Sequence, residues 1–393
     1  MCPLGTQAAT EDIEAAFRTH PLWPPHKRFA IIYFNGKFYM DQCAPFGLTT
    51  SGGIQGMSAD ALVDIWKHYG IGQVLKWVDD FIIFRAPSGS DANGFVYHYD
   101  LDHVKGSVAA LGIPWNLKKE KDFASLVVYI GFLWDLKEKR VSLTEKKRLK
   151  SLAKVNSFIT AFSGMRAPLD TTQSLLGTLA HIAFVYQRGR PFLPALQHFI
   201  STFISPHECR FPKPRMMSDL AWWRDTLIAP CIYRQLQPAE EAIDINMWVD
   251  ASTSFGIGMI FQKRWAAWKL ANGWNARGSG HDIGWAECVA MELAVLAVAE
   301  AGMRDCRILL RGDNMGVIGA IRSRRGRNIQ QNESIRRIDN IADMLNIDLD
   351  PIYVDTKINL ADKPSHGEVS SIGDRLDFII ALPGELNRFL CRV

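Results

Sequence analysis

The stretch Val74–Phe84 reads VLKWVDDFIIF. Two β-prone apolar runs meet at Asp79-Asp80, which predicts a pair of short strands with adjacent acids at their junction. Inside a buried strand, neighbouring carboxylates repel and lose hydration unless a cation or hydrogen-bond donors compensate. A tight hairpin places them instead at a sheet edge facing a cleft. A solvated turn is the plainer account of a lone Asp-Asp, so the surrounding sequence has to decide between the two.

On the N-terminal side, FAIIYF, Asn35-Gly36 and KFYMDQ read as a hairpin, because Asn-Gly is the strongest two-residue turn signal. Ser58–Trp66 reads as part of a helix. Leu126–Leu136 with Val141–Leu143 reads as a further hairpin. Beyond it the chain turns helical. Thr144-Glu145 opens a basic helix to about Ile159, and Ala167–Tyr186 and Pro191–Phe203 follow, split by Gly189 and Pro191. The Pro-rich SPHECRFPKPR connects to a helix holding Trp222-Trp223. From Asp244, INMWVDAS, GIGMIF and RWAAWKL read as three successive strands. The helix Gly284–Gly302, strand RILLRGD, helices Met315–Arg322 and Arg336–Leu345, and a last strand DPIYVDT come next. That order predicts a mixed sheet with helices packed on it.

The 393 residues, 48% hydrophobic and 22% charged, allow two or three domains with cores of their own. Gly (30) and Pro (18) are ordinary in number, which excludes collagen-like and wholly disordered chains. A net charge of +4, from 45 basic and 41 acidic residues, is too balanced to identify a nucleic-acid partner without local clustering. The seven cysteines (2, 43, 209, 231, 288, 306, 391) form no C-x-x-C pair, which argues against a zinc site or a disulfide framework and for a reducing compartment. The start, MCPLGTQAATEDIE, lacks the order of a signal peptide. The most apolar helical run, Ala286–Met303, contains Glu287, Glu292 and Glu300, which a membrane span would not tolerate cheaply.

Five short motifs in order settle the question left by Asp79-Asp80. Asp12 is followed five positions on by Phe17. Ala44-Pro45-Phe46-Gly47-Leu48 precedes TTSGGIQ, and Trp77-Val78 precedes the paired acids. LGIPW, from Leu111, is followed by Lys119, and Tyr129–Trp134 reads YIGFLW. Together they resemble a reverse transcriptase palm, with the helical second block as its thumb and connection. The resemblance implies two Mg²⁺ or Mn²⁺ ions roughly 3.5–4 Å apart, since phosphoryl transfer to a 3′-hydroxyl uses such a pair and hard cations prefer carboxylate oxygen. It implies Asp12 and Asp79 as bridging ligands with Asp80 in support, and Phe17 beneath the sugar, where a ring disfavours a ribose 2′-OH. Phe46 and Gly47 would pack near the incoming base, and Lys119 near the leaving group. Taken singly, Phe17 reads as a core residue, Phe46-Gly47 as a turn, and Lys119 as part of a solvated charge run.

A second acidic set follows. Asp250 ends a strand, Glu287 lies early in a helix, Asp313 ends the next strand, and Asp362 follows the last one in Asn359-Leu360-Ala361-Asp362. Each alone reads as a turn or cap residue. Their arrangement resembles the ribonuclease H fold, whose four acids hold two metals, one activating water and one stabilising the departing 3′-oxygen. Glu292 rivals Glu287, but Trp285 and the helix start favour Glu287. Ser252 and Asn314 are candidates to orient ligands, with plain surface hydrogen bonding as the rival reading. Seven Lys/Arg within 137–150, and Arg322, Arg324, Arg325 and Arg327, could neutralise phosphates or serve as solvated faces.

The resemblance therefore implies an α+β palm (1–136, fingers mostly missing) and a thumb and connection (137–243). An α/β ribonuclease H-like domain with a mixed five-stranded sheet (244–367) and a C-terminal tail (368–393) follow. It is similar to the polyprotein of an LTR-type or tyrosine-recombinase (DIRS-like) retroelement, and residues 353–367 lean towards the second. The implied activities are RNA-directed DNA polymerase and hybrid-specific ribonuclease H. The implied partners are RNA template, DNA primer, RNA–DNA hybrid and deoxynucleoside triphosphates, with no membrane, in the cytoplasm or nucleus. Three features depart from the family pattern. Only 11 residues precede Asp12, which suggests a truncated or decayed element or a gene model that misses an upstream exon, and leaves open whether the polymerase half is active; Trp77 replaces Tyr or Phe; and His366 follows Asp362 rather than a His preceding it. The rival class is a non-catalytic nucleic-acid-binding remnant or a domesticated retroelement protein.

Overall fold

The computed structural model describes residues 3–92, 94–230, 232–236, 241–370 and 372–393. Its contacts divide the chain into two compact units: Met1–Arg148 with Pro230–Gln237, and Leu149–Ala229 with Pro238–Val393.

Unit 1 is built on strands β1 (Gln7–Asp12), β2 (Ile31–Phe34), β3 (Lys37–Met40), β4 (Val74–Trp77), β5 (Asp80–Arg85), β6 (Gly89–Asp91) and β7 (Gly94–Val96). It continues with β8 (Lys121–Ala124), β9 (Leu126–Tyr129), β10 (Phe132–Asp135) and β11 (Arg140–Leu143). Its helices are α1 (Ser51–His68) and α2 (Leu101–Gly106). The central sheet runs β4-β5-β1-β8, all antiparallel. The run FIIF in β5 is apolar at every position because both faces of the strand are covered. Phe81 and Ile83 pack with Trp66 of α1 and Val104 of α2, and Ile82 packs with Val127 and Tyr129 of β9. Trp66 also donates its indole N–H to the Val104 carbonyl, 3.1 Å away. The expected β2–β3 hairpin is present, with Asn35 and Gly36 both at positive φ (50° and 75°), as a two-residue hairpin turn of the I′ type requires.

Unit 2 begins within helix α3 (Glu145–Phe162), inside which the division falls. Its next elements are the short strand β12 (Ala167–Pro168), α4 (Leu169–Val185), α5 (Pro194–Ser201), β13 (Cys209–Arg210) and α6 (Pro214–Ile228). Strand β14 (Tyr233–Gln235) returns to unit 1, where it extends the β9–β11 sheet. Unit 2 resumes with β15 (Ile243–Ala251), β16 (Gly256–Phe261), β17 (Arg264–Leu270), α7 (Ile283–Glu300) and β18 (Cys306–Gly312). It closes with α8 (Met315–Ser323), α9 (Ile329–Met344), β19 (Ile347–Tyr353), α10 (Asp362–Ser365) and β20 (Leu390–Arg392).

The sheet of unit 2 has six strands, β19-β18-β15-β16-β17-β20, with β15, β18 and β19 parallel and the others antiparallel. This corrects the five-stranded expectation. Residues 368–393, read from sequence as a tail, supply Leu376, Ile380, Leu386 and Leu390 to the core and close the sheet edge with β20. The segment carries few apolar residues in regular alternation, so the strand shows no periodic signal. Helix α7 is buried nearly all round; its alanines let it lie close on β15 and β16. Residues 149–229 share a unit with the large sheet because α9 ties them to it. Arg336 bonds both carboxylate oxygens of Asp219 at 2.9 Å, and Asn332 donates to the Pro191 carbonyl at 2.5 Å. Among the described residues no helix is long and apolar enough to cross a membrane. Cys43, Cys209, Cys288, Cys306 and Cys391 are free thiols, while Cys2 and Cys231 lie outside the described residues.

Candidate metal centres

In unit 2, β15 and β18 run parallel with Trp248 beside Arg311. Two residues further along each chain, and so on the same side of the pleat, stand Asp250 and Asp313. Helix α7 starts at the Asp282 cap, whose carboxylate accepts from the Trp285 amide at 2.8 Å, and its next turn carries Glu287 over the same spot. One carboxylate oxygen from each of Asp250, Glu287 and Asp313 lies within 4.8 Å of the other two. Asp250 and Glu287 are buried, and no Lys or Arg pairs with any of the three among the described residues. Burial, reinforced by Asp250 and Asp313, pushes the Glu287 carboxyl up to about 9. Burial likewise raises Asp250 to about 7, opposed in part by the Ser365 hydroxyl and reinforced by Asp313. Three crowded hard oxygens with no protein cation are a donor set that fits Mg²⁺ or Mn²⁺.

The fourth expected acid, Asp362, heads α10 at the rim. It is not one of the three converging ligands; its side chain is 42% exposed and 3.9 Å from His366 Nε2. Its charge is nevertheless among those that raise Asp250. The rival Glu292 points elsewhere, fully buried and bonded by Arg337 Nε at 2.6 Å and by the Ser334 hydroxyl.

Residues that the sequence does not single out hold the cluster in shape. Ser365 donates its hydroxyl to Asp250 Oδ2, and Asn359 Nδ2 reaches Asp250 Oδ1 at 3.4 Å while anchored to the Val249 carbonyl at 3.1 Å. Thr356 donates to Asp313 Oδ2 at 2.6 Å. Of the two residues the sequence does offer as ligand-orienting, Ser252 bonds the Ser365 carbonyl at 2.6 Å, one residue contact away from Asp250, and Asn314 caps α8 through the Gly316 and Val317 amides instead. α10 approaches β16 this closely because Gly258, opposite Asp250 in the sheet, has no side chain. A Cβ there would overlap the Ser365 amide and stand 2.5 Å from the Ala361 carbonyl. The run Asn359–Ser365 was legible only for its acid; its amide and hydroxyl act through folded geometry alone.

In unit 1, β1 and β5 pair with Asp12 opposite Asp80. Asp80 is raised to about 6, by burial first and by the neighbouring Asp12 carboxyl second. Asp79 sits in the two-residue turn between β4 and β5, beside Val78 at φ 58°. A β-branched residue in that region is strained, and the β4–β5 pairing on either side, Trp77 opposite Asp80, imposes it. The oxygens of Asp12 are both engaged: Asn116 Nδ2 lies 2.8 Å from Oδ1 and Lys119 Nζ 2.7 Å from Oδ2. The Asp12 contact in turn raises Lys119. Phe17 and Phe46 meet edge to face with centroids 5.1 Å apart, Phe46 is 75% exposed, and Gly47 takes φ 85°. Of the expected basic clusters, Arg148 pairs with Glu145, Arg322 with the Pro351 carbonyl and Arg324 with Asp339.

No family model matches the chain, and no curated protein does. Among solved structures the chain is similar to a foamy viral protease-reverse transcriptase dRH in complex with double-stranded DNA, at 16% identity and TM-score 0.42, covering 90% of this chain and 58% of that one. The foamy viral protease-reverse transcriptase bound to RNA/DNA hybrid gives 15%, 0.43, 96% and 46%, and the same protein with double-stranded DNA gives 16%, 0.41, 88% and 68%. The chain thus spans about half the length of the first two structures it matches. With TM-scores below 0.5, these likenesses carry no argument about activity.

Proposed function

We propose that unit 2 is a divalent-metal-dependent nuclease that hydrolyses the RNA strand of an RNA–DNA hybrid, and that unit 1 is the palm of an RNA-directed DNA polymerase from a retroelement. The observation that carries the reading is the convergence of Asp250, Glu287 and Asp313, the first two buried and the third half-buried, with no Lys or Arg paired to them among the described residues. Asp250, Glu287 and Asp313 would hold the cation, with Asp362 entering from the rim. When bound, the cation supplies Lewis-acid stabilisation of the phosphoryl oxygens and a nucleophilic water. The protein's own part is orientation: Ser365 and Asn359 fix the two oxygens of Asp250, and Thr356 fixes Asp313. Hydrolysis adds water across the P–O3′ bond and leaves a 5′-phosphate and a 3′-hydroxyl. In unit 1, Asp12, Asp79 and Asp80 would hold metal, Phe17, Phe46 and Gly47 would face the nucleotide, and Lys119 would leave Asp12 for the triphosphate.

The test is cleavage of end-labelled RNA in a hybrid by the full chain with Mg²⁺. Cutting is expected, and Asp250→Asn or Asp313→Asn should abolish it; cutting that survives both substitutions overturns the assignment. A second reading applies to unit 1, favoured by the two donors already covering Asp12: it holds primer and template without extending them. Primer extension on an RNA template separates the two, with incorporation expected and its absence favouring the binding role.

A further inference from the structure

We infer that a cavity of about 660 Å³ in unit 2, lined by Lys263, Lys357 and Lys363, is a binding site for the backbone phosphates of a nucleic-acid strand held next to the acid cluster. The inference rests on the nuclease reading for the strand's onward path, but its grounds are separate. The three lysines come from different segments: the β16–β17 turn, the loop after β19, and α10. None of their ammonium groups pairs with a carboxylate among the described residues. Three cations around one cavity, against the single carboxylate of Asp362 in its lining, repel one another, and an anion relieves that repulsion. Two further lining residues, Asn359 and Asp362, belong to the acid cluster or its rim, so a strand whose reactive phosphate lies at the cluster continues into the cavity.

A second observation comes from the backbone. Gln262 and Lys263 form a two-residue hairpin turn with φ 52° and 73°. The same turn between β2 and β3 uses Asn35-Gly36, the residues that conformation favours. A lysine in a glycine-favouring position carries backbone strain, and what it gains is an ammonium group at the cavity wall. Phosphate contacts of this kind position a strand without reading its sequence.

The experiment measures binding of the full chain to an RNA–DNA hybrid, by fluorescence anisotropy with Ca²⁺ in place of Mg²⁺, as a function of salt. Wild type is compared with the triple variant Lys263→Gln/Lys357→Gln/Lys363→Gln and with the corresponding triple arginine variant. Each phosphate contact contributes about 0.9 to the slope of log K against log salt, so the glutamine variant should lose about 2–3 from that slope. The arginine variant should keep it. Under turnover conditions the glutamine variant should raise KM and leave kcat unchanged. If the triple variant does not fold, the single glutamine variants are each expected to lose about 1. Unchanged slopes in folded variants overturn the inference. Loss of inorganic phosphate or nucleoside monophosphate binding, with the hybrid slope intact, also overturns it, in favour of a small free anion. A lysine-dependent slope in a chain that never cuts RNA sustains this site while refuting the nuclease reading.

Discussion

Glu287 is a carboxyl whose folded environment opposes its charge. Its ordinary value of 4.5 rises to about 9, so the folded state retains a proton that the unfolded state releases above pH 4.5. Stability from this group is therefore full below about pH 4.5 and is lost as pH rises towards 9. Asp250 adds the same sign between 3.8 and about 7. Without divalent cation, Tm should fall as pH rises from 5 to 9, and Glu287→Gln should flatten that fall. A melting temperature that climbs over this range in wild type would contradict the burial argument. Ser365 acts on the neighbouring ligand. Removing a group that orients a metal ligand typically costs about 10–100-fold in metal affinity, so Ser365→Ala should raise the Mg²⁺ concentration for half-maximal cleavage by that order and leave the fold intact. Asp250, Glu287 and Asp313, which converge, and Asp12 with Asp80, which pair, could be singled out in sequence because carboxylates stand out against apolar runs; Asp362 stood out in the same way but is not among the converging three. Ser365, Asn359, Thr356 and Asn116 could not, since a lone serine or amide has many uses and gains a role only through what folding brings beside it.

At the level of elements, α7 and α9 are clasped by a buried ion pair. Glu292 is fully buried and Arg337 bonds both of its oxygens, at 2.6 and 2.9 Å. Breaking such a pair from one side leaves an unmatched buried charge, at a cost of about 3–5 kcal/mol. Arg337→Met should lower the denaturation midpoint accordingly, and Glu292→Leu added to it should recover most of the loss; a single variant as stable as wild type would show that the pair is not a clasp. The elements most legible in sequence were those with strong local signals. Asn35-Gly36 marked the β2–β3 hairpin, and three successive apolar runs marked β15 to β17. Helix α9 begins at Ile329, seven residues before the expected start at Arg336, because its first half is polar and its Asn328 cap is a weak signal beside the preceding arginines. Strand β20 pairs through only three residues, too few to show a period. Gly258 carries an element-level prediction of its own: Gly258→Ala should push α10 off β16 and weaken cleavage through Ser365, visible as a raised Mg²⁺ requirement.

At the scale of the whole molecule, two units carry separate acid sites with different internal compensation. In unit 1 a lysine and an amide already satisfy Asp12; in unit 2 the three converging acids have no paired Lys or Arg among the described residues. The difference predicts that divalent cation stabilises unit 2 more than unit 1, which hydrogen exchange read separately over residues 7–85 and 247–313 can resolve. Uniform protection across both would contradict it.

The central claim is that Asp250, Glu287 and Asp313 form a cation site that folding holds partly protonated. Calorimetric titration of the full chain with Mn²⁺ at pH 7, in two buffers of different ionisation enthalpy, counts the protons that binding releases. Binding that expels about one proton or more, and that is lost in Glu287→Gln, is the predicted result. Binding that expels none, or that survives Glu287→Gln unchanged, contradicts the claim.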